Sequence, residues 1–159
     1  MVFVGEGEAE KAFLQHLKSL YGVGSLKVSP KSAGGKGPDN VINDAIGTLE
    51  NSKCDTVAVL LDTDIPWPPK LKKKALKLQI ILIGSTPYLE GLLLDILGEK
   101  HPTPSNNKTC KAALHPRLSG KATQKESYQG LFDKARLDEA QKRVPELKQI
   151  VDLINNTHK

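Results

Sequence analysis

The sequence predicts an α/β fold: a three-layer sandwich with a small, mostly parallel sheet of about four strands flanked by helices. Three observations predict it. Thr56–Leu61 (TVAVLL) is a continuous β-rich run of the kind covered on both faces in a parallel sheet. Short apolar runs alternate with segments of helical period along the chain. Glycines and carboxylates follow the apolar runs at once, where open parallel sheets place their sites.

The elements follow in order. Val2-Phe3-Val4, closed by Gly5, reads as a buried strand. Between Glu8 and Tyr21, Ala9, Phe13, Leu17 and Leu20 recur at helical spacing. Leu26-Lys27-Val28 is a second strand, followed by a loop through Gly34-Gly35-Lys36-Gly37-Pro38. A helix then opens at Pro38 or Asp39 and runs through Val41, Ile42, Ala45, Ile46 and Leu49. After Thr56–Leu61 come a basic helix, Lys70–Leu78, a buried strand, Gln79–Ile83, and an apolar helix, Pro87–Leu97. Thr103–Ala122 reads as irregular. Two helices close the chain, about Lys125–Arg143 and Pro145–Asn155, because Pro145 suits a first helical turn and not a helix interior. The length of 159 residues fits one domain spanning the chain, with the last two helices packed on it.

With 26% charged and 38% hydrophobic residues, the chain is neither bulk-disordered nor membrane-embedded. Its apolar runs fall far short of the roughly 20 residues that span a bilayer, and its start lacks a basic-then-apolar leader. Cys54 and Cys110 form no CxxC pair, so a reduced, cytoplasmic protein is expected. The net charge is +5, and its distribution is uneven. From Lys100 to Lys125 there is no Asp or Glu, while Lys100, Lys108, Lys111, Arg117, Lys121 and Lys125 all fall there; Lys70, Lys72, Lys73, Lys74 and Lys77 form a second cluster. Such blocks suit a polyanion, whose condensed counterions are released on binding, and equally suit a solvated face that maintains solubility.

Three strands deliver carboxylates to what should be one sheet edge: Glu6, Glu8 and Glu10 after the first, Asp62 and Asp64 after the central one, Glu90 after the last. Glu6 and Glu10 are four apart across a strand-to-helix turn, so Glu10 can point back toward Glu6. Asp62 and Asp64, two apart in extended chain, face the same way. Gly5 and Gly7 permit a sharp turn there. Clustered carboxylates repel, so such a site calls for a cation or for raised pKa values. Hard oxygen donors suit Mg²⁺ or Mn²⁺. Taken singly, these acids also suit a helix N-terminus or an ordinary turn, and Glu8 is left to that role.

The ordered series strand-Glu6-Gly7-x-x-Glu10, then strand-Asp62-x-Asp64, resembles the Toprim domain shared by primases, topoisomerases and the overcoming-lysogenisation-defect nucleases. Ser85–Leu94, in which Ser-x-Pro-x-x-Glu runs into an apolar helix, resembles the RloB-like branch of that last group, as does the closing helix that starts at Pro145-Glu146-Leu147. The resemblance implies a Toprim-like, Rossmannoid sheet with divalent metal at its carboxylate edge. Glu6 would be the general acid/base and one of the metal-facing acids. Glu10, Asp62 and Asp64 would be metal ligands, Glu90 a further acidic member, and Lys121 the late basic residue. The resemblance also implies bacterial phage-defence loci and an ATPase partner. Ala9 stands where relatives often carry threonine, and Gly91 where a bulkier residue is usual.

The expected chemistry is Mg²⁺- or Mn²⁺-dependent phosphodiester cleavage of nucleic acid, DNA or RNA. Glu6 would transfer protons, Lys121 would offset phosphate charge, and Lys36, Lys100, Lys108, Lys111, Arg117 and Lys125 would contact the nucleic acid. The alternative is a non-catalytic nucleic-acid-binding or regulatory subunit on the same scaffold. Sparse aromatics argue against a base-stacking platform. Gly34–Gly37 does not fit GxxxxGK[ST] and is read as a flexible loop with a phosphate contact at most. His101 and His115 are read as loop residues.

Overall fold

A computed structural model describes residues 1–23 and 27–155. Its sheet has four strands, β1 (Val2–Gly5), β2 (Ser29–Ser32), β3 (Val57–Asp62) and β4 (Ile81–Ser85), all parallel, in the order β2-β1-β3-β4. Seven α-helices accompany them among the described residues: α1 (Glu8–Tyr21), α2 (Gly37–Asn51), α3 (Pro69–Lys77), α4 (Leu89–Leu97), α5 (Asn107–Leu114), α6 (Lys134–Ala140) and α7 (Pro145–Asn155).

Strand side chains alternate between two cores, as the period of two requires. Phe3, Ala58, Leu60 and Ile83 pack with apolar residues of α1, α4, α6 and α7. Val4, Val57, Val59 and Leu61 face the opposite way, toward α2 and α3. The α/β three-layer sandwich is therefore as expected. Parallel crossovers are right-handed. The chain steps from β1 to β2 in one direction along the sheet and from β2 to β3 and β4 in the other, so α1 belongs on one face and α2 and α3 on the other, matching the two cores. Between β1 and β3 the connections part to opposite faces, which opens a crevice beyond the carboxyl ends of those two strands.

Several boundaries differ from expectation, each for a local reason. The second strand is Ser29–Ser32, not Leu26–Val28; Leu26 lies outside the described residues, and Lys27 and Val28 precede the strand. As an edge strand with Pro30 in it, β2 carries none of the β-rich signature of a central strand. Strand β4 begins at Ile81 because Gln79 takes a left-handed conformation (φ 59°) that closes α3. The segment expected to be irregular contains α5, whose first turn is capped reciprocally: Asn106 accepts from the Thr109 N–H (3.0 Å) and Thr109 accepts from the Asn106 N–H (3.0 Å). The expected helix Lys125–Arg143 is broken. A 3₁₀ turn, Lys125–Tyr128, ends before Gly130, and Asp133 starts α6 afresh by accepting from the Arg136 N–H at 2.8 Å. In the break, Tyr128 and Phe132 turn inward and meet Phe13 with ring centroids 5.6 and 6.0 Å away. No helix among the described residues is long and apolar enough to cross a membrane.

The first turn of α4 runs so close to the β4 exit that a side chain at Gly91 would collide with the Thr86 carbonyl oxygen and lie 2.9 Å from Pro87 Cδ. A bulkier residue has no room there. Gly91→Ala is expected to lower stability by about 1–3 kcal/mol through overpacking. Gly47→Ala, within α2 and only 3.8 Å from the Asn51 amide, is expected to raise it by about 0.5–1 kcal/mol through helix propensity. Urea midpoints of the two variants check this; equal shifts of the same sign would contradict it.

Candidate active site

Parallel register sets the carboxylates level with one another. Gly5 pairs with Leu60, so β3 outruns β1 by two residues and Glu6 arrives beside the last turn of β3. There the Glu6 N–H donates to the Leu60 carbonyl (3.2 Å), while the Asp62 N–H donates to Glu6 Oε2 (3.2 Å). A side-chain carboxylate thus continues the ladder where the β1 backbone turns away. Asp62 pairs in turn with Ser85 on β4, and the Ser85 hydroxyl donates to Asp62 Oδ1 at 2.8 Å.

Glu10 enters from the first turn of α1. Its Oε2 accepts from the Gly7 N–H (2.9 Å), so the side chain folds back toward the strand end. This needs β1 and α1 almost in contact: a Cβ at Gly5 would lie 2.6 Å from Glu10 Cβ. Glu90, in the first turn of α4, is buried, and His115 Nε2 lies 2.7 Å from its Oε1. A turn held by Trp67 and Thr63 fixes the Asp62–Asp64 segment. The Trp67 indole donates to the Asp62 carbonyl (2.9 Å), and the Thr63 N–H donates to the Ser85 carbonyl (3.0 Å). Asp64 is exposed, near enough for its charge to act on Glu6.

Glu10, Asp62 and Glu90 line one cavity of about 260 Å³, closed opposite by Asn107, Lys111 and His115 of the α5 region and by Ala122 and Thr123. The electrostatics record how closely these acids stand. Burial, then the charge of Glu10, pushes the Asp62 carboxyl up to about 8; Glu6 and Glu90 add to the rise, and the Ser85 hydroxyl opposes it. Glu10 is held above its ordinary value by burial and by Glu6 and Glu90, against the pull of backbone N–H groups. Glu6 is raised by burial and by Asp64, with the Asp62 N–H opposing. The Tyr128 hydroxyl, beneath the cluster, is pushed up by burial and by the charges of Glu10 and Glu90.

Of the five acids singled out from sequence, Glu10, Asp62 and Glu90 line the cavity, Glu6 bonds the Asp62 N–H beside it, and Asp64 acts on Glu6 from outside; Glu8, left to a helix-start role, also lines the cavity. The basic residues are dispersed. Lys111 faces the carboxylates across the cavity. Lys36, exposed, sits at the start of α2 beside this edge, where the Gly35 N–H donates to the Glu6 carbonyl (2.8 Å). Lys121 is exposed and adjoins the cavity wall at Ala122. Lys100 and Lys108 are exposed before and on α5, Lys125 opens onto a neighbouring trough, and Arg117 is paired with Glu99. Ser85 and His115 are the partners that sequence reasoning missed. Ser85 was visible as the first residue of the Ser-x-Pro-x-x-Glu stretch, without a role assigned to it; nothing local marked His115, 25 residues from Glu90.

Among the described residues, no group of three or more His, Cys, Asp or Glu forms a ready-made metal cage. Mg²⁺ does not require one, because it takes one or two carboxylates together with water and substrate phosphates. An all-oxygen set of carboxylate donors fits such a hard cation.

The metal-free protein should show the coupling in its stability. Asp62 binds its proton more tightly folded than unfolded, so its contribution is fully present below about pH 4 and lost as pH rises toward 8. His16, whose imidazole burial pushes down, acts with the opposite sign, losing stability as pH falls below about 6.5. With chelator present, the thermal midpoint is expected to fall between about pH 6.5 and 8, and Asp62→Asn to flatten that fall. Identical wild-type and variant profiles would contradict the coupling. Comparison with protein-family models, with curated proteins and with solved structures finds no match to this chain.

Proposed function

We propose that the crevice between β1 and β3 is a metal-dependent phosphodiesterase site acting on nucleic acid. The observation that carries this reading is the convergence of four acids at one half-buried edge: Glu10, Asp62 and Glu90 line one cavity, and Glu6 accepts from the Asp62 N–H beside it. Carboxylates perturbed by one another in a crevice are characteristic of functional sites. The resemblance of the motifs to the Toprim domain and its nucleases supports the same reading, and the defence setting and ATPase partner rest on that resemblance alone.

In this reading Asp62 with one or more of Glu10, Asp64 and Glu90 would hold Mg²⁺ or Mn²⁺ together with water and substrate phosphate, with Glu6 beside them. The cation supplies charge neutralisation at the attacking and leaving oxygens of the phosphate. Glu6 exchanges the proton of the attacking group, since its carboxyl is already held above the usual carboxylate range. Ser85 and His115 keep the Asp62 and Glu90 carboxylates aimed into the cavity. Lys111 faces the acids and draws a phosphate in; Lys121, one residue from the wall, offsets the charge that develops on it.

One observation favours a second reading, a nucleic-acid-binding or regulatory subunit without catalysis. Glu10, Asp62 and Glu90 each already have a partner within the protein, in Gly7, Ser85 and His115. Cleavage assays separate the two. Nicking of DNA or RNA is expected in Mn²⁺ or Mg²⁺ and not in chelator, with Glu6→Ala and Asp62→Ala each about 100-fold slower or worse. Full activity in both variants, or no cleavage by wild type of any nucleic acid with either cation, would overturn the catalytic reading.

A further inference from the structure

A second concavity lies beside the carboxylates, not on them. It is a trough of about 570 Å³ between the outer face of α1, with Gln15, Lys18 and Ser19, and the segment that carries Thr123, Lys125 and Glu126; Pro30 of the edge strand lies at its side. Thr123 lines both this trough and the carboxylate cavity, so the two concavities share a wall. From the acids outward the surface runs past Lys111, Thr123, Lys125 and Lys18. Lys18 belongs to none of the lysine blocks visible in the sequence, and only the fold of α1 brings it opposite Lys125.

We infer that this trough is the track of a single nucleic-acid strand, holding its sugar–phosphate backbone between Lys18 and Lys125 and delivering a phosphate to the acids past Thr123. The inference rests on the phosphodiesterase reading and adds the form of its substrate. Charge complementarity supports a polyanion, since two lysines oppose the one carboxylate of Glu126. The Thr123 hydroxyl and the Gln15 amide are donors suited to phosphate and sugar oxygens. Size supports one strand, because about 570 Å³ is the volume of a small-ligand pocket and cannot take in a B-form duplex, whose major groove alone is about 12 Å wide. The walls carry no aromatic side chain, so bases have nothing to stack on and binding reads the backbone without sequence preference.

The test is the salt dependence of binding to a labelled single-stranded oligonucleotide of mixed sequence, in chelator so that the strand stays intact. The double variant Lys18→Gln/Lys125→Gln is expected to bind more weakly and to reduce the slope of log affinity against log salt by about 1.4, near 0.7 for each phosphate of a single strand that is no longer neutralised. Lys77→Gln, on α3 against the opposite face of the sheet, is the control and should leave the slope unchanged. An unchanged slope in the double variant overturns the track, as does tighter, equally lysine-dependent binding of a duplex. Competition by polyglutamate as effective as by oligonucleotide of equal charge overturns it in favour of an acidic protein partner. Mn²⁺ affinity, measured alongside with wild type and Asp62→Asn, reports on the carboxylate reading independently. Metal binding that needs Asp62, together with strand binding indifferent to the two lysines, sinks the track alone; the reverse pattern sinks the metal site alone.

Discussion

Like charges gathered at one half-buried edge repel, and the protein must either keep protons on some of them or accept a cation among them. Parallel register imposes that condition here. Because β1 turns away two residues before β3 ends, the Glu6 carboxylate takes over as the acceptor for the Asp62 N–H and is drawn against the acids of β3. Glu10 and Glu90 then arrive from the first turns of α1 and α4, so strand ends and helix starts project the same charge into one crevice. Burial first, then the charges of Glu10, Glu6 and Glu90, push the Asp62 carboxyl up to about 8.

Close packing holds this arrangement in place. At Gly5 and Gly91 the strand-to-helix turns pass so near their neighbours that a methyl group has no space, which fixes where Glu10 and Glu90 begin. Trp67 and Ser85 anchor Asp62 from the backbone and side-chain sides. Behind α1, Phe13, Tyr128 and Phe132 pack ring against ring in the core, and the Tyr128 hydroxyl feels the charges of Glu10 and Glu90.

The layered fold and the acidic edge were legible because each rests on local pattern: the buried run of β3, the helical spacing in α1 and α2, and carboxylates placed at once after strands. What was not legible depends on partners distant in sequence. The edge strand β2 has polar, proline-containing sequence because only one of its edges is paired. Helix α5 buries just Cys110 and Leu114, too few for a periodic signal, and its Asn106 cap reads as a loop residue. The pairing of His115 with Glu90 and the approach of Lys18 to Lys125 exist only once α5 and the 121–126 segment have docked. The lysine blocks were the weaker guide: Arg117 is engaged by Glu99, whereas Lys111 reaches the cavity.

Catalytic and purely binding roles share this fold, these lysines and this trough, and part company over whether the acids share an ion. Anomalous diffraction from crystals equilibrated with Mn²⁺ addresses that most directly. The account predicts a manganese peak in the crevice between the ends of β1 and β3, bound by oxygens of Asp62 and at least one of Glu6, Glu10, Asp64 and Glu90. Manganese found only elsewhere, with Asp62 still bonded to Ser85 and Glu90 to His115 as in the metal-free protein, would contradict it.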